Sequence, residues 1–213
     1  PVIASLNGTS TGGWLEYARL MEEAGADALE MNVFHIPTDP DIPAATLERE
    51  ILDMVTDVKK GLSIPVAVKL SPFFTAFAHF AGQLNQAGAD GLILFNRFYE
   101  PHIRIEDLEV RRELHVSTSS ELGLRLRWLA LLSDRVKASL AVTGGVHTIT
   151  DAVQSIMAGA HAIQMVSALL QRGPEHIAWL RNELARWLEE HEYHSLRQAQ
   201  GSMNLGTCPD PQV

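Results

Sequence analysis

One phrase, written three times, constrains this chain more than any other feature. AGADALEMN begins at Ala24, AGADGLILFN at Ala87 and AGAHAIQMVS at Ala158. Each copy joins the end of an amphipathic stretch to a short apolar run. Gly25, Gly88 and Gly159 stand where the stretch should stop, and glycine there can take the left-handed conformation that closes a helix. The run that follows is too short for a helix and reads as a buried strand. Further strands lie between the copies: PVIASLN from Pro1, PVAVKLS from Pro65 and SLAVTGG from Ser139. Each is apolar at nearly every position, the mark of parallel strands covered on both faces.

The intervening stretches read as helices. Residues 14–24 carry Leu15, Ala18, Leu20 and Met21 at helical spacing, and residues 44–61 carry Leu47, Ile51, Met54, Val55 and Val58. Residues 75–87, 122–132, 150–158 and 174–190 follow the same pattern, the last opening on Pro174, a favoured first helical residue. Strict alternation of strand and helix specifies an α/β fold with a parallel sheet. No GxGxxG follows the first strand, which removes the main support for a dinucleotide-binding sheet. Two architectures remain, a barrel and a doubly wound sheet, and recurrence of similar units fits the first, a (β/α)8 TIM barrel. It is incomplete here, with about six of eight βα units and the first two strands missing ahead of Pro1. The chain opens on Pro1 rather than Met and ends in the Pro-rich CPDPQV, so residues 1–213 read as a single barrel domain cut from a longer protein. Segment 97–121 is too long for a simple strand-to-helix loop and is a candidate active-site loop.

Composition removes several function classes. The net charge is −9, and Lys and Arg are scattered, which argues against nucleic-acid binding. No apolar run approaches the roughly 18–20 residues of a membrane span, and no basic-then-apolar leader opens the chain. The single cysteine, Cys208, rules out a disulfide framework and a cysteine-rich metal or iron–sulfur site. No metal is expected, and a reducing cytoplasm is the natural compartment. The expected partner is a small-molecule substrate, and a homodimer is compatible with the sequence.

In a barrel, chemistry gathers at the C-terminal ends of the strands. Those ends carry Ser5 and Asn7, Asn32, Lys69, Asn96 and Arg97, Thr143 with Gly144 and Gly145, and Ser167. Lys69 interrupts a run of Val66, Ala67, Val68 and Leu70. A lysine among valines needs an anionic partner or a lowered pKa, unless its head snorkels to the mouth. Thr143-Gly144-Gly145 and Val166-Ser167 end the last two strands, and glycine lets backbone N–H groups approach an anion closely. A short helix over 167–171 would aim its N-terminus at the same point, forming the phosphate grip common to barrels. Asn32 and Asn96 offer two-point hydrogen bonds to a heterocycle edge, or cap loops. His35, in the loop FHIPTDPDIP, could take a proton near neutral pH, whereas His147 reads as a loop or cap residue.

PVIASLNG, ALEMN, PVAVKLSP, GLILFNR and AVTGGVHTITDAVQSIMAGA, in this order, resemble the dihydroorotate dehydrogenase family over nearly the whole chain. The likeness is greatest to its dihydroorotate dehydrogenase-like branch. It implies an FMN-dependent barrel that oxidises dihydroorotate to orotate in pyrimidine biosynthesis, passing hydride to flavin N5. By resemblance, Lys69 is a catalytic residue beside the flavin ring. Asn32 and Asn96 touch flavin or orotate, and Ser5 lies near the flavin. Thr143, Gly144, Gly145 and Ser167 hold the FMN phosphate, and Ser117 and Thr118 lie along the flavin's far edge.

Three departures bear on the substrate. The family's Asn-x-x-Cys/Ser-Pro-Asn is Asn32-Val33-Phe34-His35-Ile36-Pro37 here, which puts His35 at the catalytic base and removes the last asparagine. The Asn-Ser pair of the sixth strand is Asn96-Arg97, and the Gly-Thr of the last strand is Val166-Ser167. The flavin half is better kept than the orotate half. A lost amide partner weakens binding by about 1–3 kcal/mol when its counterpart is left unpaired, and Arg97 could hold a substrate carboxylate bidentately. Two rival readings stand beside this one: a non-redox barrel isomerase or synthase that grips a sugar phosphate, and a non-catalytic flavin-binding relative.

Overall fold

The computed structural model describes residues 1–7, 11–33, 36–97, 100–113 and 115–207. The first four strands are β1 (Ile3–Asn7), β2 (Ala28–Asn32), β3 (Val66–Leu70) and β4 (Gly91–Leu94). A hairpin of β5 (Glu100–Arg104) and β6 (Glu109–Glu113) precedes β7 (Ser139–Thr143) and β8 (Ala162–Gln164). The helices are α1 (Thr11–Glu23), α2 (Ala44–Gly61), α3 (Phe77–Gln86), α4 (Leu122–Leu132), α5 (Ile149–Ala158), α6 (Ser167–Arg172), α7 (His176–Glu190) and α8 (Leu196–Ala199). All six expected strands form one parallel sheet in the order β1-β2-β3-β4-β7-β8. The three repeat glycines do end helices. Gly25, Gly88 and Gly159 have φ of +93°, +102° and +123°, a region closed to most side chains.

The two faces of this sheet are chemically different, which corrects the expectation of uniformly apolar strands. Side chains alternate along a strand. Leu6, Leu29, Met31, Val66, Val68, Leu70, Leu92, Leu94, Leu140 and Val142 share one face and join the core under the helices. The alternate positions put Ser5, Glu30, Asn32, Lys69, Thr143 and Gln164 on the other face. Lys69 is therefore not packed among its neighbouring valines; they point the opposite way.

The polar face is concave. Gln164 Nε2 on β8 donates to Glu30 Oε2 on β2 at 2.6 Å. These strands are four steps apart in the sheet. At about 4.8 Å per step a flat sheet would hold them roughly 19 Å apart, beyond the reach of two side chains. The sheet is curled into half a barrel, with β1 and β8 as its edges.

Segment 97–121 is not plain loop. It contains the β5–β6 hairpin, in register from Glu100↔Glu113 to Arg104↔Glu109, and a 3-10 turn at Ser119–Glu121. Phe77 meets Phe95 edge-on at 5.2 Å and Trp128 at 4.8 Å, tying α3 and α4 to the end of β4. No helix among the described residues is long and apolar enough to cross a membrane.

Candidate functional site

The site has an interior part and a mouth. The interior part centres on Glu30, 5% exposed. Its Oε1 accepts from Ser5 Oγ at 3.0 Å and from Lys69 Nζ at 3.4 Å, and its Oε2 accepts from Gln164. Asn32 Nδ2 donates to Ser5 Oγ at 2.6 Å. Strand register dictates this meeting, because Ser5 pairs with Glu30 and Asn32 with Lys69 in adjacent strands. Four strands thus contribute to one polar network anchored on the buried Glu30 and Asn32, in which each group has a partner of opposite character.

The mouth is a cleft of about 210 Å³ at the ends of β3, β4, β7 and β8. Thr143 and Gly144 line it beside Ser167 and Ala168 of α6. The two segments expected to converge do so, and Ser117 joins them. Ser117 N–H donates to Ser167 Oγ at 2.9 Å, and Gly145 N–H donates to Ser117 Oγ at 3.2 Å. Gly144 and Gly145 have φ of +79° and +84°. A Cβ on Gly144 would stand 3.0 Å from Arg125 Nη2, and one on Gly145 would stand 2.9 Å from Leu122 N. Backbone closes the Gly145 position, and at Gly144 the positive φ strains any side chain while Arg125 would have to give way.

A charged frame holds the mouth. Arg125 on α4 is 7% exposed; its Nε donates to Thr143 O and its Nη1 to Glu121 O, both at 2.6 Å. Burial depresses the Arg125 pKa, and the Glu121 charge opposes that depression. Glu121 itself binds Arg97 Nη1 through Oε2 at 2.5 Å and caps Thr118 N–H through Oε1. Burial pushes the Glu121 carboxyl up, but the Arg97 and Thr118 hydrogen bonds and the charges of Arg97 and Arg125 outweigh it and leave it below its ordinary value. Behind the glycines, His147 is buried. Its N–H donates to Asp151 Oδ2 at 3.0 Å, and its carbonyl accepts from His176 Nε2 at 3.0 Å. Asp151 Oδ2 also accepts from Ser119 Oγ and Thr148 N–H, so one carboxylate ties the 3-10 turn to the start of α5.

The model of the dihydroorotate dehydrogenase family matches residues 1–188. The chain belongs to the dihydroorotate dehydrogenase family. With that membership goes the reaction class, an oxidoreductase acting on a CH–CH group. The chain is 25% identical to the catalytic subunit of dihydroorotate dehydrogenase B (NAD(+)) of Thermoplasma acidophilum, over 94% of this chain and 68% of that one. It is 29% identical to the catalytic subunit of the same name from Methanothermobacter thermautotrophicus, over 82% and 59%. It is also 24% identical to the NAD-dependent dihydropyrimidine dehydrogenase subunit PreA of Escherichia coli, over 98% and 54%.

The dihydroorotate dehydrogenase pattern read from the sequence is distributed between the two parts of the site. Ser5 and Asn32 belong to the interior network, and Lys69 belongs to both parts. Asn96 and Arg97 line the mouth, where Asn96 Oδ1 accepts from Arg97 N–H at 3.1 Å. Ser117 lines the mouth, while Thr118 is turned into the capping box of the 3-10 turn. His35 lies outside the described residues. Sequence reasoning missed Glu30, Gln164 and Arg125. Glu30 interrupts ALEMN as Lys69 interrupts VAVKL, so the signal that singled out the lysine was also present for its partner. Arg125 also interrupts an apolar run, LGLRLRWLALL, but so does Arg127, and a helical arginine ordinarily faces solvent, so the interruption did not single it out.

Proposed function

We propose that this protein is an FMN-dependent oxidoreductase that oxidises dihydroorotate or a related dihydropyrimidine. The observation that carries the reading is the charge of the mouth. Lys69, Arg97 and Arg125 line it, and among the described residues carboxylates pair with the first two, Glu30 and Glu121, but not with Arg125, which leaves the mouth positive in a chain of net charge −9. A cationic cleft in an acidic protein selects an anionic ligand.

The residues fit the phosphate end of FMN. Thr143, Gly144, Gly145 and Ser167 would hold it, with the glycines at positive φ in the turn that lines the cleft and Arg125 packed on Gly144. The mouth, about 210 Å³, is smaller than the roughly 300–1,000 Å³ of a whole ligand pocket. It suits a phosphate and its chain, with the ring reached by Lys69, Asn32 and Ser5. FMN supplies the two-electron acceptor for the substrate C–H bond. The protein's part is to orient the substrate through Asn32 and Asn96, to hold positive charge at Lys69, and to remove a proton at His35.

The visible spectrum of the full-length protein tests this reading: a preparation that stays colourless after FMN is added overturns it. With FMN bound, anaerobic bleaching by dihydroorotate is expected, and His35→Ala should slow the bleaching while leaving the colour.

The Arg97–Glu121 ion pair favours a second reading of the substrate. An arginine already neutralised by a carboxylate has less to offer another, so a dihydropyrimidine without a carboxylate would fit better. Faster bleaching by that substrate than by dihydroorotate selects the second reading.

A further inference from the structure

The three cations of the mouth differ in their partners. Lys69 faces Glu30 at 3.4 Å and Arg97 faces Glu121 at 2.5 Å. Arg125 meets backbone carbonyls instead, those of Thr143 and Glu121. Both carboxylate oxygens of Glu121 are already engaged, one by Arg97 and one by Thr118 N–H. Among the described residues, Arg125 is therefore the cation of the mouth compensated by carbonyl dipoles rather than by a carboxylate of its own. At 7% exposure such a charge is costly to keep. Its guanidinium carries five N–H groups, and the two carbonyl bonds use two of them. Nη2 lies 3.0 Å from where a Gly144 Cβ would be, so the guanidinium packs directly on the double-glycine turn that lines the cleft with Ser167.

We propose that Arg125 is a phosphate-binding residue that makes this cleft selective for a phosphomonoester end over the same ligand without one. The identity of that ligand as FMN rests on the reading above; the demand for an anion beside Gly144 does not. The guanidinium is held in place by its two carbonyl bonds, so little ordering remains to be done when the anion arrives. A phosphate would supply the charge that Thr143 and Glu121 carbonyls cannot, through charge-assisted hydrogen bonds to the remaining N–H groups. Riboflavin, which lacks the phosphate, would gain nothing from this residue.

The test compares FMN and riboflavin binding, followed by flavin fluorescence, in the full-length wild type, Arg125→Gln and Arg125→Lys. Arg125→Gln should weaken FMN by at least about tenfold, the loss of one charge-assisted hydrogen bond, and riboflavin by less than about twofold. Arg125→Lys keeps the charge without the fork and should fall between; it decides the matter if the glutamine variant does not fold. Equal weakening of both flavins would mean that Arg125 only props the Thr143 turn, and the proposal fails. If wild type binds neither flavin, the FMN reading fails and inorganic phosphate decides this one. A phosphate-induced rise in Tm that Arg125→Gln abolishes sustains it, and no rise in wild type overturns it.

Discussion

Removing the Glu30 carboxylate would leave Lys69, Ser5 and Gln164 facing one another with no anion among them. Truncating one partner of a buried pair costs roughly 3–5 kcal/mol, and the lower end applies here because the Lys69 side chain keeps 18% exposure. Glu30→Met should therefore lower the urea midpoint sharply, whereas Glu30→Met combined with Lys69→Met should recover part of the loss. If the single and double variants are equally unstable, the two residues are not coupled as their geometry requires. The same pair marks how far single residues were legible. Lys69 stood out because a charge broke an apolar run, and the structure accounts for it by strand alternation and a carboxylate on the next strand. Reading the strands as apolar on both faces hid Glu30 and Gln164, which occupy the same alternate positions. Arg125 could not be found that way, since its burial comes from α4 packing against the double-glycine turn and from nothing local.

At the scale of elements, the start of α5 is held by Asp151. Burial pushes its carboxyl up, but hydrogen bonds from Ser119, His147 and Thr148 outweigh that and depress it below its ordinary value of 3.8. A depressed carboxyl stabilises the fold above its unfolded pKa, and that stabilisation is lost as pH falls through the lower folded value. Asp151→Asn should cost about 1.5–3 kcal/mol at neutral pH, as expected for hydrogen bonds to a charged group, and should flatten the loss of stability below pH 3.8 in acid denaturation. The capping box that places this carboxylate, Thr148 to Asp151, was written in TITD, yet the helix was expected to begin one residue later. The β5–β6 hairpin left no comparable signal. EPHIR and EVRRE show no apolar alternation, their described side chains at 101–104 and 109–111 are exposed, and the turn between them lacks glycine. Leu108 stands there at φ +49° and is 90% exposed. Since the left-handed conformation costs an ordinary residue about 1–2 kcal/mol, Leu108→Asn should raise Tm slightly; a fall would show that the leucine side chain has a partner.

For the whole molecule, the order of the parallel sheet and its curl followed from alternation and repetition, because a strand–helix unit leaves few ways to pack. The polarity of the hollow did not, since it depends on which alternate positions face inward. The curled sheet presents β1 and β8 as edges, and Val2, just ahead of β1, and Ile3, its first residue, are 66% and 56% exposed. Open strand edges template association. The 213-residue chain alone should scatter light increasingly with concentration, and Ile3→Lys should reduce that; scattering unchanged by the substitution would place the contact elsewhere.

Glu30 and Gln164 meet across the hollow rather than along it. Their 2.6 Å contact spans the half-barrel from β2 to β8 like a crossbar. Whatever slides between β2 and β8 must either pass above this bar or offer the carboxylate a donor to replace the amide it gives up.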